Sequence, residues 1–184
     1  MAAISDPLRR GMTAPDFSLS GTDGRMWRYA DAVGSQGLVV MFLCNHCPYV
    51  QAAVDRIVRD VRALRDIGIG AVAISSNDAV AYPEDSFDRM RTFAQQHHFD
   101  FPYLYDESQD VARAYGAVST PDFFGFNRDR ALQYRGRLDS SGRQSVAPGA
   151  RRELYEAMEL IARTGRGPDA QNASIGCSIK WKVA

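Results

Sequence analysis

A chain of 184 residues is long enough to bury one proper hydrophobic core, and its composition carries no signature of disorder. Lysine plus arginine equals aspartate plus glutamate at 22 each, so no net field draws in nucleic acid or anionic lipid, and neither is expected as a partner. The first twenty residues, from Met1 onward, lack the apolar core of a signal peptide and no later run is long enough to span a bilayer, so a cytoplasmic protein without a membrane partner is expected.

In chain order, Ala14-Pro-Asp-Phe-Ser-Leu19 and Arg25-Met-Trp-Arg-Tyr29 predict an N-terminal hairpin around Gly21-Thr-Asp-Gly24. Asp31 to Gly37 reads as a polar linker. Leu38 to Leu43 is an unbroken apolar run of strand length, which suits a strand covered on both faces. From Tyr49, the residues Val50, Val54, Ile57, Val58, Val61 and Leu64 recur at helical spacing, giving a long amphipathic helix that ends near Ile67-Gly68. Cys44 and Cys47 thus fall where strand meets helix, at the sheet's carboxyl edge and on the helix's first turn. The partial positive charge and free N–H groups of a helix start stabilise a thiolate.

Gly70 to Asp78 predicts a second buried strand, followed by a loop through Tyr82-Pro83. A helix then runs from Asp85-Ser86 to His97-His98, two histidines that suit the helix dipole and carry no assigned chemistry. Phe101 to Tyr105 is a short strand and Ser108 to Tyr115 a short helix closed by Gly116. Asp122 to Phe126 and Ala131 to Arg137 form an antiparallel hairpin about Asn127-Arg-Asp-Arg130. After a loop from Asp139 to Pro148, Arg151 to Thr164 is a final amphipathic helix with Leu154, Ala157, Met158 and Ile161 on one face. The tail alternates, with Ile175, Cys177, Ile179, Trp181 and Val183 on one side, so an extended strip laid on the body is expected. This order implies an α/β fold with a central mixed sheet and helices on both faces.

A strand, a Cys-x-x-Cys at a helix start, a Thr-Pro before a β-hairpin and a closing helix resemble the thioredoxin fold over residues of about 10 to 164. The inserted strand and helix between Gly70 and His98 make the chain most similar to the redoxin branch, the alkyl hydroperoxide reductase and thiol-specific antioxidant superfamily. Cys44-Asn-His-Cys-Pro-Tyr-Val50, Ile74-Ser-Ser-Asn-Asp78, Tyr82-Pro-Glu-Asp85, Tyr115-Gly-Ala-Val-Ser-Thr-Pro-Asp-Phe-Phe124 and Gly176-Cys-Ser-Ile-Lys-Trp-Lys182 resemble a group of bacterial thioredoxin-like proteins. The expectation is a single thioredoxin-like domain over 1–184, with 165–184 as a tail packed on its body. Two departures stand out: Leu43 replaces the Trp that precedes the first cysteine of thioredoxin, and Ser119 replaces a cysteine that relatives often carry before the Thr-Pro.

The resemblance implies that Cys44 is an exposed attacking thiol and Cys47 a buried resolving thiol. Two intervening residues bring the sulfurs within bonding reach, so the pair can close and open without moving the fold. His46 holds a slot that is also histidine in disulfide isomerases, where added positive charge supports the thiolate and makes the disulfide more oxidising. Thr120-Pro121 matches the cis-proline site, where backbone just before the proline pairs with a bound peptide strand. Asn77 and Arg137 are placed to reach the thiolate. The implied activity is thiol–disulfide oxidoreduction on protein or small-molecule disulfides, with no cofactor and an electron donor that the sequence does not identify.

Two alternatives stay open. A thiol peroxidase would place its cysteine at Cys47 under the pattern Pro-x-x-x-Thr/Ser-x-x-Cys, which asks for Thr at Cys44 and Pro at Val40. A zinc- or copper-binding module would use Cys44, Cys47, His46 and the third cysteine, Cys177. On the apolar side of the tail Cys177 otherwise reads as a small hydrophobe, or as a resolving thiol that the tail brings back to the site.

Overall fold

The structure, a computed structural model, describes residues 2–5 and 9–183. Strand β1 (Ala2–Ile4) precedes an antiparallel pair, β2 (Ser18–Gly21) and β3 (Met26–Arg28), joined through Gly24, whose φ of 83° favours a residue without Cβ. One helical turn, α1 (Tyr29–Ala32), runs from the end of the expected second strand into the expected linker, and there the Asp31 carboxylate accepts from the Arg28 N–H at 2.9 Å. β4 (Gly37–Phe42) is buried at every residue. α2 (Pro48–Asp66) begins on a proline, whose missing N–H is one that a first turn leaves unpaired anyway. β5 (Ile69–Ser75), a 3-10 turn at Pro83–Asp85, α3 (Phe87–Gln96), β6 (Tyr103–Tyr105) and α4 (Asp110–Tyr115) follow. The remaining elements are β7 (Ser119–Thr120), β8 (Asp122–Asn127), β9 (Leu132–Gly136), α5 (Glu153–Thr164) and β10 (Ile175–Ser178).

The alternation of a strand's side chains divides the core in two. Val39, Met41 and Leu43 face one way, against Val54, Ile57 and Val61 of α2, Leu154 and Met158 of α5, and Met90 and Phe93 of α3. Leu38, Val40 and Phe42 face the other way, with Tyr29 of α1 and Ala112 and Tyr115 of α4. Full burial of each large apolar side chain contributes about 1.5–3 kcal/mol, so β4 is the strand around which both layers condense.

The strands run β3-β2-β6-β5 and β4-β8-β9, and the Leu43 N–H donates to the Ile74 carbonyl at 2.9 Å where β4 lies beside β5. β5 and β6 are parallel, while β4–β8 and β8–β9 are antiparallel, so the sheet is mixed with helices on both faces, as expected. β1, β10 and β7 form a further antiparallel sheet, and it brings the tail to the dithiol.

That tail departs from the expected strip. Gly176 is buried, whereas Ile175 is 50% exposed and Val183 95% exposed. The reason is pairing. β10 lies between β1 and β7, after which Ile179 enters the second core layer and Trp181 lies 4.5 Å under the Arg113 guanidinium.

Candidate active site

β4 ends and α2 begins within a few residues, so the connector Leu43–Cys47 is pinned at both ends on the sheet's carboxyl edge. Cys47 is the residue before the first helical turn and Cys44 lies in the preceding loop, so both stand just outside the helix rather than in it. The two sulfurs converge on one residue: Cys44 Sγ lies 3.3 Å from the Thr120 hydroxyl, and the Cys47 thiol donates to the Thr120 carbonyl at 3.1 Å. The Thr120–Pro121 bond is cis. Cys44 is not the exposed thiol expected. It is 1% exposed and Cys47 0%, because Thr120, β10 and the Pro83–Asp85 turn all pack around this connector.

Asp85 organises the loop, a role that its sequence position beside a helix start did not reveal. Its Oδ1 accepts the Asn45 N–H at 2.8 Å and the His46 N–H at 3.3 Å, while Oδ2 accepts His46 Nδ1–H at 2.6 Å and Asn77 Nδ2–H at 2.7 Å. A fully buried carboxylate is tolerated because its lone pairs are met in this way. Asn45 extends the net, donating to the Glu84 carbonyl at 2.9 Å and accepting from the buried Tyr103 hydroxyl at 3.0 Å.

The other expected site residues fall differently. His46 spends its Nδ1 proton on Asp85, and its ring stacks on Tyr82 with centroids 5.8 Å apart. Asn77, expected near the thiolate, instead joins Asp85 to the tail, its Oδ1 accepting the Lys180 N–H at 2.9 Å. Arg137 is turned to Glu153, with its Nη2 2.7 Å and its Nε 3.1 Å from the carboxylate. Cys44, His46 and Asp85 bring ligand atoms within 4.8 Å of one another, but Asp85 already serves four N–H donors, which weakens the metal alternative.

The thiols titrate as one unit. A hydrogen bond to Cys47, then burial, then the Asp85 charge push the Cys44 thiol well above the ordinary cysteine range. Cys47 is pulled well below it, first by the hydrogen bond from Cys44 and then, against the cost of burial, by Cys177 and the N–H groups of Val50 and Cys177. The Thr120 carbonyl opposes this, since Cys47 forfeits that contact on ionising. The pair therefore gives up its first proton easily and holds its second tightly. This is the state a dithiol needs to attack a disulfide.

A mixed sheet between helical layers, with a Cys-x-x-Cys at a helix start facing the residue before a cis-proline, is a thioredoxin-like architecture. Within that class residues 11–135 match the AhpC/TSA family, and the chain belongs to it. An uncharacterized conserved protein from Geobacillus kaustophilus superposes with a TM-score of 0.94 at 42% identity, covering 100% of this chain and 98% of that one. A hypothetical protein from Sinorhizobium meliloti 1021 gives a TM-score of 0.89 at 34% identity, covering 98% of this chain and 99% of that one. Peroxiredoxin Bcp of Escherichia coli K12 is 24% identical over 138 residues, 75% of this chain and 83% of that protein. The curated relatives are thus oxidoreductases. No helix among the described residues is long and apolar enough to cross a membrane.

Proposed function

We propose that this chain is a single-domain cytoplasmic thiol–disulfide oxidoreductase that cycles Cys44 and Cys47 between dithiol and disulfide. The observation that carries this is the meeting of both sulfurs on Thr120, at 3.3 and 3.1 Å, ahead of the cis-proline. The ionised thiol of the pair attacks a substrate disulfide, one substrate sulfur leaves as a thiolate, and the second cysteine closes on the mixed disulfide to release the other half reduced. Asp85 and Asn45 position the loop, and His46 is held beside it by Asp85 and Tyr82. The edge of β7, where a peptide strand would dock in a thioredoxin-like protein, is filled by β10, so a low-molecular-weight disulfide suits the site better than a folded protein.

The test is to mix reduced protein with excess oxidised glutathione and map thiols against time. Wild type closes the Cys44–Cys47 bond and releases reduced glutathione, whereas Cys47→Ser, which lacks the ionised thiol, cannot close the pair and consumes oxidised glutathione slowly. Retention of both thiols by wild type, or full turnover by Cys47→Ser, contradicts the proposal.

A thiol peroxidase is the second reading, favoured by the lowered Cys47 thiol at the position where the peroxidase pattern falls. Val40 and Cys44 stand where that pattern asks for Pro and Thr. Peroxide consumption should be slow; rapid oxidation by equimolar peroxide, lost in Cys47→Ser, would reverse the ranking.

A further inference from the structure

The third cysteine is placed by the sheet and not by its own packing. In the β10–β7 register Cys177 stands opposite Thr120 and Ser178 opposite Ser119. Directly opposed residues of an antiparallel pair send their side chains to the same face, about 4.5–5.5 Å apart. The Thr120 hydroxyl is 3.3 Å from Cys44 Sγ, so Cys177 projects to the side of the sheet that holds the dithiol, and it packs against the core cluster containing Cys44 and Cys47. Gly176 permits the approach: a Cβ there would lie 2.1 Å from the Thr120 carbonyl oxygen and 3.1 Å from the Pro121 nitrogen.

The chain on either side of Cys177 is tied down. Before it, the Ser174 hydroxyl donates to the Gly136 carbonyl at 2.7 Å. After it, the Ile179 N–H donates to Val118 at 3.0 Å, the Asp78 N–H to the Lys180 carbonyl at 2.8 Å, and the Lys182 N–H to Gln109 Oε1 at 2.9 Å. Cys177 is also the outermost of the three, half-buried where Cys44 and Cys47 are sealed.

We propose that Cys177 is a third redox thiol of this site, which exchanges with the Cys44–Cys47 disulfide and carries the oxidising equivalents outward. The proposal rests on the dithiol reading above. In the step, the Cys177 thiolate attacks Cys47 Sγ, the Cys47–Cys177 bond forms, and the Cys44–Cys47 bond breaks. The electron pair leaves on Cys44 sulfur, which takes up a proton in place of the one Cys177 shed. One disulfide is exchanged for another, and the oxidising equivalents come from the disulfide substrate that first oxidised the pair. In the reduced protein, burial and then the hydrogen bond and charge of Cys47 push the Cys177 thiol up to about 11, against the pull of Lys180. A disulfide-bonded Cys47 carries no charge, so the part of that opposition due to Cys47 disappears at the stage where Cys177 must act, while the cost of burial stays.

The experiment equilibrates wild type, Cys44→Ser, Cys44→Ala and Cys177→Ser with oxidised glutathione, quenches in acid, alkylates, and maps linked peptides. The expected result is a Cys47–Cys177 peptide in wild type beside the Cys44–Cys47 peptide. Both Cys44 variants should lose their two remaining thiols together and keep no glutathione. Cys44 variants that hold glutathione on Cys47 with Cys177 free, alongside wild type without a Cys47–Cys177 peptide, overturn the proposal while a Cys44–Cys47 bond in Cys177→Ser leaves the dithiol reading standing. Failure of Cys44 and Cys47 to pair in both wild type and Cys177→Ser overturns the dithiol reading itself. The wild-type map needs no variant to fold.

Discussion

Replacing Asp85 by Asn keeps the shape of the side chain and removes one acceptor oxygen. Four donors converge on the carboxylate: the Asn45 and His46 N–H groups on one oxygen, His46 Nδ1 and Asn77 Nδ2 on the other. Turned toward the two backbone N–H groups, the new NH2 satisfies neither; turned the other way, it leaves Asn77 Nδ2 unmet and bonds His46 only after the ring shifts its proton to Nε2. Hydrogen bonds to a charged group are worth about 1.5–3 kcal/mol each, so the gross loss is about 3–6 kcal/mol. Some is returned because a buried charge no longer has to be desolvated. A net destabilisation of about 2–4 kcal/mol is expected, measured as the shift of the urea transition of the reduced protein. The same change removes a charge that raises the Cys44 thiol, so Cys44 should titrate lower and alkylate faster at a fixed pH. A variant within about 0.5 kcal/mol of wild type, with unchanged alkylation of Cys44, would refute the assignment of Asp85 as the charge that holds the loop.

Gly176→Ala should force β10 away from β7, since the added Cβ meets backbone atoms rather than a yielding side chain. The expected cost is about 1–3 kcal/mol, with faster alkylation of Cys44 and Cys47; unchanged alkylation would mean that the tail does not cover them. Asn77→Ala removes an anchor of the tail worth about 1–2 kcal/mol, so trypsin should cut at Lys180 and Lys182 roughly 5–30-fold faster than in wild type. Glu153 titrates low: burial pushes it up, but the hydrogen bonds from Arg137 and Asn172 outweigh that. Its contribution to stability is therefore complete above the unfolded glutamate value of about 4.3 and is lost as the pH falls through the lower folded value. Urea midpoints of wild type should fall across that acid window, and Arg137→Ala should flatten that part of the profile; parallel profiles would count against the pairing.

Much of the scaffold was legible because its signals are local. The apolar run Leu38–Leu43 and the helical spacing from Val50 to Leu64 depend only on neighbours in sequence, and they became β4 and α2. The cysteine spacing and Thr120-Pro121 were legible for the same reason. What escaped was set by distant pairing. Asp85 meets His46 across 39 positions, and nothing in its own stretch distinguishes it from an ordinary helix-start acid. The burial of Cys44 comes partly from a tail more than a hundred residues away, so a motif that reads as an exposed thiol is covered in the fold. Arg137 was misplaced because the sequence cannot say which acid it will meet. Glu153, 16 positions on, takes its guanidinium. Asn77 lies near the predicted place with a different task, bracing Asp85 and the tail.

The most direct test of the central claim is a redox titration of wild type and Cys177→Ser in glutathione buffers of graded potential, with free thiols trapped and mapped at each point. In Cys177→Ser, Cys44 and Cys47 should disappear together in one two-electron transition. The stabilised thiolate places its midpoint above that of thioredoxin, within the range of about −270 to −120 mV. In wild type Cys47 should be lost in the same kind of two-electron transition, its bond shared between Cys44 and Cys177. Cysteines that oxidise one at a time as separate glutathione adducts, or no transition anywhere in that range, would contradict the account.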